Sequence, residues 1–170
     1  RPVAGARVAV AMKKHAFETE DDYAPLVYLF DHIEVEPAYG GLSRLMDETG
    51  EDALVIANAS MPGSPMQHIM RDLMDMNTFY FQTADNPERL AALADAIGGY
   101  FERIMPLAAE CPADVILFGA NMDETITYPP FYEARILPWI RRFADMAHAR
   151  GKSVLIHADG ENRGLFRLYR

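Results

Sequence analysis

Apolar residues along this chain switch repeatedly between two spacings. Short continuous runs, ALVIANAS (53–60), DVILF (114–118) and SVLI (153–156), alternate with longer stretches where apolar residues recur every three or four positions. The short runs read as buried strands and the periodic stretches as amphipathic helices. A further β-rich run, RVAVAM (7–12), reads as a strand ahead of them. In ETEDDYAPLVYLFDHI (18–33), Leu26, Leu29, Phe30 and Ile33 share one stripe, and Asp21 or Asp22 can cap it. PAYGGLSRLMDETG (37–50) reads as a helix closed by Gly50. SPMQHIMRDLMDMNTFYF (64–81) opens with Ser64 as a cap and Pro65 at the first helical position. Asn86 and Pro87 open a long helix through Ala109, with Leu90, Leu93, Ala94, Ile97 and Phe101 at helical spacing. PPFYEARILPWIRRFADMAHARG (129–151) is a helix ended by Gly151, and Arg163 is expected to begin another.

Continuous apolar strands separated by helices predict a parallel sheet covered on both faces. The runs at 8–11, 54–57, 115–118 and 154–157 are expected to be parallel neighbours or near-neighbours. No G-x-G-x-x-G or G-x-x-x-x-G-K-[ST] follows any of them, which removes the main reason to choose a nucleotide-binding open sheet. The strand ends are polar instead: Asn58 and Ser60, then Asn121, Asp123 and Glu124, then His157 and Asp159. A (β/α)₈ barrel gathers its chemistry at such C-terminal strand ends, and a full one needs about 250 residues. The expectation is therefore a single domain over 1–170 that is a partial segment of a (β/α)₈ TIM barrel. Arg1 at the start and LFRLYR at the close suggest a segment incomplete at both ends.

Composition narrows the partners. Half of the 170 residues are hydrophobic, and the net charge is -9 with a pI near 4.9. So acidic a surface repels phosphate backbones and anionic lipid, which argues against nucleic acid and membrane partners. The lone Cys111 excludes an intramolecular disulfide and fits a reducing, cytoplasmic setting.

His157 and Asp159 lie two apart on a strand, on one face, with Cα atoms roughly 6.5–7 Å apart. They can converge on a metal ion, a water or a polar substrate group, or simply hydrogen-bond to each other as a strand cap. Gly160 lets the backbone turn or approach a ligand there. Asn121 and Asp123 repeat the pattern on the neighbouring strand, where loop capping is an equal alternative. SMPGSP (60–65) reads as a substrate-contacting loop or an ordinary turn. Met61, Met66, Met70, Met74 and Met76 read as core filling. His15, His32, His68 and His148 have no partner at metal spacing and read as structural, as does Cys111.

The stretch from DVILFGANMDE through YPPFYEARILPWIRR, AHARGK and SVLIHADG resembles the uroporphyrinogen decarboxylase superfamily, and ETEDDYAPLVYLF, PGSP and DNPERLAALADAI are similar to its upstream part. The resemblance implies a (β/α)₈ barrel enzyme with its site at the strand C-termini. One branch decarboxylates uroporphyrinogen, in porphyrin biosynthesis, without a cofactor. Its arginine-rich RQAGR segment is absent here. The other branch comprises corrinoid-dependent methyltransferases, whose thiol-using members carry H-x-C-G with zinc on the His and Cys. His157 and Gly160 match that motif, and Asp159 stands in the cysteine position. The remaining zinc cysteine of that branch would lie beyond Arg170.

The resemblance therefore implies an enzyme, first a corrinoid-linked methyltransferase acting on a small acceptor. Its catalytic residues would be Asp123, His157 and Asp159, with His157 and Asp159 as metal ligands. Asn58, Ser60, Asn121 and Glu124 would contact substrate. Zinc and a corrinoid, as substrate or on a partner corrinoid protein, are the implied cofactors. Alternatives are a cofactor-free decarboxylase with Asp123 polarising pyrrole nitrogens, or a non-catalytic corrinoid- or ligand-binding accessory protein. A homodimer is compatible with each.

Overall fold

The computed structural model describes residues 13–119 and 121–169. Helices α1 (Tyr23–His32) and α2 (Gly40–Thr49) precede strand β1 (Ile56–Asn58). Next come α3 (Pro65–His68), α4 (Met76–Asp85), the long α5 (Pro87–Glu110) and β2 (Val115–Leu117). The chain closes with α6 (Pro129–Phe131), α7 (Leu137–His148) and β3 (Ser153–Leu155). The strands form one parallel sheet in the order β1-β2-β3, with Ile56 opposite Val115 and Val115 opposite Ser153.

This is a small α/β fold, and it corrects the expectation of a (β/α)₈ barrel. Among the described residues three short strands form an open sheet, with β1 and β3 as its edges. Long helical connections take up most of the chain between the strands, so too few strands are present to close a cylinder. The expected parallel neighbours are found for the three later runs. The run at 7–12 lies outside the described residues.

Among the described residues the sheet is packed on one face only. Ala57 and Ile116 are buried there and Val154 is half-buried, with α7 packed on β3. Across the other face Ile56 and Leu155 remain 42% and 43% exposed, contrary to strands covered on both sides. The core lies between sheet and helices. Phe118 stacks on Phe143 with ring centroids 4.3 Å apart, and Phe101 meets Trp139 edge-on at 5.6 Å.

Two helix boundaries differ from the sequence pattern. The expected helix over 64–81 breaks at Met74, which is extended, because the Asp75 carboxylate accepts from the N–H groups of Asn77 and Thr78 and caps a new helix. Ser64 caps α3 as expected, accepting from the Gln67 N–H at 3.1 Å. Beyond Arg163 the chain makes tight turns instead of a helix, with Leu165 N–H donating to Asn162 O and Leu168 N–H to Leu165 O. Leu165 is fully buried and anchors this segment. No helix among the described residues is long and apolar enough to cross a membrane.

Candidate functional site

Parallel strands carry their C-terminal ends to one edge of the sheet, so the loops after β1, β2 and β3 meet. The backbone makes the first contact. Gly119 N–H donates to Met61 O at 3.2 Å, and Gly119 has φ +76°. A Cβ at Gly119 would stand 3.1 Å from the Gly63 Cα, so a side chain there would force the two loops apart. Gln67, fully buried in α3, ties the same loops together. Its side-chain oxygen accepts from Gly63 N–H at 2.7 Å, and its amide nitrogen reaches Asn121 O at 3.5 Å.

The loops after β2 and β3 are joined more closely. Met122 and Ala158 form a parallel bridge, with Asp159 N–H donating to Met122 O at 3.0 Å. Glu124 N–H donates to Glu161 O at 2.8 Å, and the Glu124 carboxylate accepts from the Gly164 N–H. Asp123 accepts from three backbone donors: Thr125 at 2.8 Å, Ile126 at 3.3 Å and Glu161 at 3.1 Å. Buried Thr127 returns a hydroxyl hydrogen bond to Asp123 O at 2.8 Å. Asp123 and Glu124 thus brace two loops with their carboxylates.

Gly160, at φ +58°, closes this arrangement. A Cβ there would lie 2.0 Å from Asp123 Oδ2. Gly160→Ala is therefore expected to cost about 1–3 kcal/mol, from left-handed strain and displacement of the carboxylate. Urea denaturation measures it, and a loss below about 0.5 kcal/mol would show that the contact is not needed.

The Thr125 N–H, with those of Glu161 and Ile126, holds the Asp123 carboxyl below its ordinary value of 3.8. A depressed carboxylate pKa gives stability that is present above the unfolded value and lost as pH falls through the folded one. Acid melts below about pH 4 should therefore fall less steeply for Asp123→Asn than for the wild type. Equal slopes would remove Asp123 from the acid response.

His157 and Asp159 do converge. Nε2 of the imidazole lies 2.8 Å from Asp159 Oδ1, with the side chains 58% and 45% exposed. That exposure decides how the pair can act, because a solvent-facing ion pair adds little stability but is open to ligand. For both atoms to hold one zinc ion at about 2.1 Å with a tetrahedral angle, they would have to part to roughly 3.4 Å. Alternatively Asp159 orients the imidazole while Nδ1 meets a substrate proton. Among the described residues no group of three or more His, Cys, Asp or Glu side chains is placed to hold a metal ion. The pair thus offers two protein ligands.

Of the remaining candidates, Asn58 accepts from Ser60 N–H at 2.8 Å and so shapes the turn after β1. Ser60 and Asn121 are exposed and adopt left-handed backbone, φ +54° and +59°. Non-glycine residues rarely do so, and such strain gathers at binding sites. The site therefore brings together His157 with Asp159, and Asp123 with the loop that carries them. Met61, Met70 and Met74 are buried core residues as expected, whereas Met76 is 42% exposed. His68 pairs with Asp72 at 2.7 Å, and His32 stacks on Tyr28, both away from the strand ends. Sequence reasoning missed Gln67 and Thr127. Gln67 was detectable as the one amide within the apolar first turns after Ser64-Pro65, and Thr127 carried no signal. No protein-family model, no curated protein and no solved structure matches this chain.

Proposed function

We propose that the chain is an enzyme acting on a small molecule at the C-terminal ends of its strands, resembling the corrinoid-linked methyltransferases of the uroporphyrinogen decarboxylase superfamily. The observation that carries this reading is the exposed His157–Asp159 pair, 2.8 Å apart and set before a positive-φ glycine. Its H-x-D-G sequence is similar to the zinc motif of that branch.

In this reading His157 and Asp159 bind the acceptor directly or through a zinc ion, and the two side chains are chemically suited to zinc. The carboxylate is a harder ligand than the thiolate it replaces, so the ion is held weakly and the pair favours an oxygen or nitrogen acceptor over a thiol. A methylated corrinoid would supply the methyl group. The chain's own residues orient the acceptor, and the exposed imidazole takes its proton and passes it to solvent; zinc, where bound, would lower the acceptor's proton affinity. Asp123, Glu124 and Gln67 hold the loops in register. Decarboxylation of a tetrapyrrole fits less well, because the Asp123 carboxylate that would polarise pyrrole nitrogens already accepts from three backbone N–H groups.

Zinc calorimetry on the wild type and Asp159→Cys tests the assignment. Restoring a thiolate should tighten zinc at least about tenfold, because soft sulfur suits zinc better than carboxylate oxygen. Unchanged affinity, or no binding by either protein at millimolar zinc, would rule out descent from a zinc site.

A further inference from the structure

A groove opens on the other side of β3 from the His157–Asp159 pair. Along an extended chain Leu155, His157 and Asp159 share one face, so Val154, Ile156 and Ala158 turn to the opposite one, where α7 packs. Between that face, α7 and the turn around Leu168 lies a groove of about 480 Å³, a size that suits a small molecule. Its walls are apolar: Leu137, Ile140, Ala144, Val154, Ile156 and Leu168 line it. Ala144, Val154, Ile156 and Leu168 are only half-buried, so their apolar surface is open to an occupant.

Tyr132, Arg141 and His148 also line the groove. Tyr132 is 1% exposed, and its hydroxyl has no hydrogen-bond partner among the described residues. A buried tyrosine hydroxyl normally has one, so this donor is left for a ligand. Burial pushes its pKa up to about 12, which keeps it protonated at neutral pH. Arg141 is close enough to act on that hydroxyl electrostatically. Its neighbour Arg142 pairs with Glu102, whereas Arg141 has no ion pair among the described residues. Tyr169 completes the wall: its ring meets Tyr132 edge-on at 5.7 Å, and its hydroxyl donates to Asn162 Oδ1. His148 lies two turns further along α7, about 10 Å away by helical rise, so the donors gather at the Tyr132 end.

The geometry points to a binding site, separate from the one at the strand ends, for a small monocarboxylate with an apolar body. The Tyr132 hydroxyl and the Arg141 guanidinium hold the carboxylate, and the body lies over Ala144, Val154 and Ile156. Charge selects the anion: among the described residues no acidic side chain lines the groove, and its one arginine has no counterion. A guanidinium meets a carboxylate through two parallel N–H donors, which fixes the ligand's orientation. A wholly apolar ligand would cover the Tyr132 hydroxyl without giving it a partner, at a cost in affinity.

Backbone amide chemical shifts of the full chain, titrated with 4-phenylbutyrate and with its neutral analogue 4-phenylbutyramide, test this. The acid should bind saturably with a Kd below about 1 mM, a modest affinity for a probe of its size. Its shifts should centre on Ala144, Ile156 and Leu168 and leave Ala57 on β1 unmoved. The neutral analogue should bind at least about fivefold more weakly, because it forfeits the charge-assisted bonds. Arg141→Gln, at an exposed position, should abolish that preference, and Tyr132→Phe, which removes only the hydroxyl, should weaken the acid severalfold. Equal affinity of the wild type for the two probes overturns the proposal, and so does a preference that survives Arg141→Gln, whether or not Tyr132→Phe folds. No saturable shift at about 10 mM of either probe also overturns it. Groove shifts that grow with protein concentration in the absence of probe, alongside a dimer in sedimentation, overturn it by assigning the face to a second copy.

Discussion

Replacing His157 by alanine should abolish zinc and acceptor binding while moving the melting temperature by no more than a few degrees. The two halves of this expectation have separate causes. Removing one of two protein ligands leaves a single carboxylate, which cannot hold zinc against water, so affinity should drop at least about a hundredfold. Stability changes little because the side chain is 58% exposed and its contact with Asp159 is solvated, worth about 0–1 kcal/mol. Calorimetry paired with thermal melts reads both. A loss of several kcal/mol with binding intact would make His157 a structural strand cap and nothing more.

Phe118→Ala should show the opposite signature. Phe118 follows β2 directly, close in sequence to the loop residues of the site, yet it is fully buried and stacked on Phe143 at 4.3 Å. Truncation removes an aromatic ring from the junction of sheet and α7 and leaves a cavity that packed neighbours refill only in part. The expected cost is about 3–5 kcal/mol, a large share of the roughly 5–15 kcal/mol that holds a domain of this kind together. Urea denaturation measures it. A loss under about 1.5 kcal/mol would mean that the contact between sheet and α7 is looser than the stacking implies.

What could be read from the residues, and what could not, follows from the range of each interaction. Helix starts written in local chemistry, such as Ser64-Pro65 and Asn86-Pro87, were readable because a cap acts over three or four residues. The break at Met74 was equally local, but Asp75 was masked by the apolar run around it. Parallel pairing of the three later strands followed from their hydrophobic continuity. Closure into a barrel did not, because strand number and sheet curvature are global properties and a polar strand end looks the same in open and closed sheets. At the site, alternation along an extended chain predicted His157 beside Asp159, and the two do meet at 2.8 Å although both lie beyond the end of β3. It did not reveal that Asp123 and Glu124 would direct their carboxylates to backbone N–H groups, which depends on how two loops distant in sequence fold against each other.

The pairing of His157 with Asp159 as a ligand site is the central claim, and the imidazole nitrogens report on it most directly. The measurement is a zinc titration of the wild-type chain followed by ¹⁵N resonances of the histidine rings. The expected result is a large shift of the His157 ring signals at sub-millimolar zinc. Smaller shifts should be confined to Asp159, Gly160 and the loop around Asp123, leaving His32 and His68 unmoved. A His157 ring that stays unshifted at millimolar zinc, or that moves no more than His32 and His68, would contradict it.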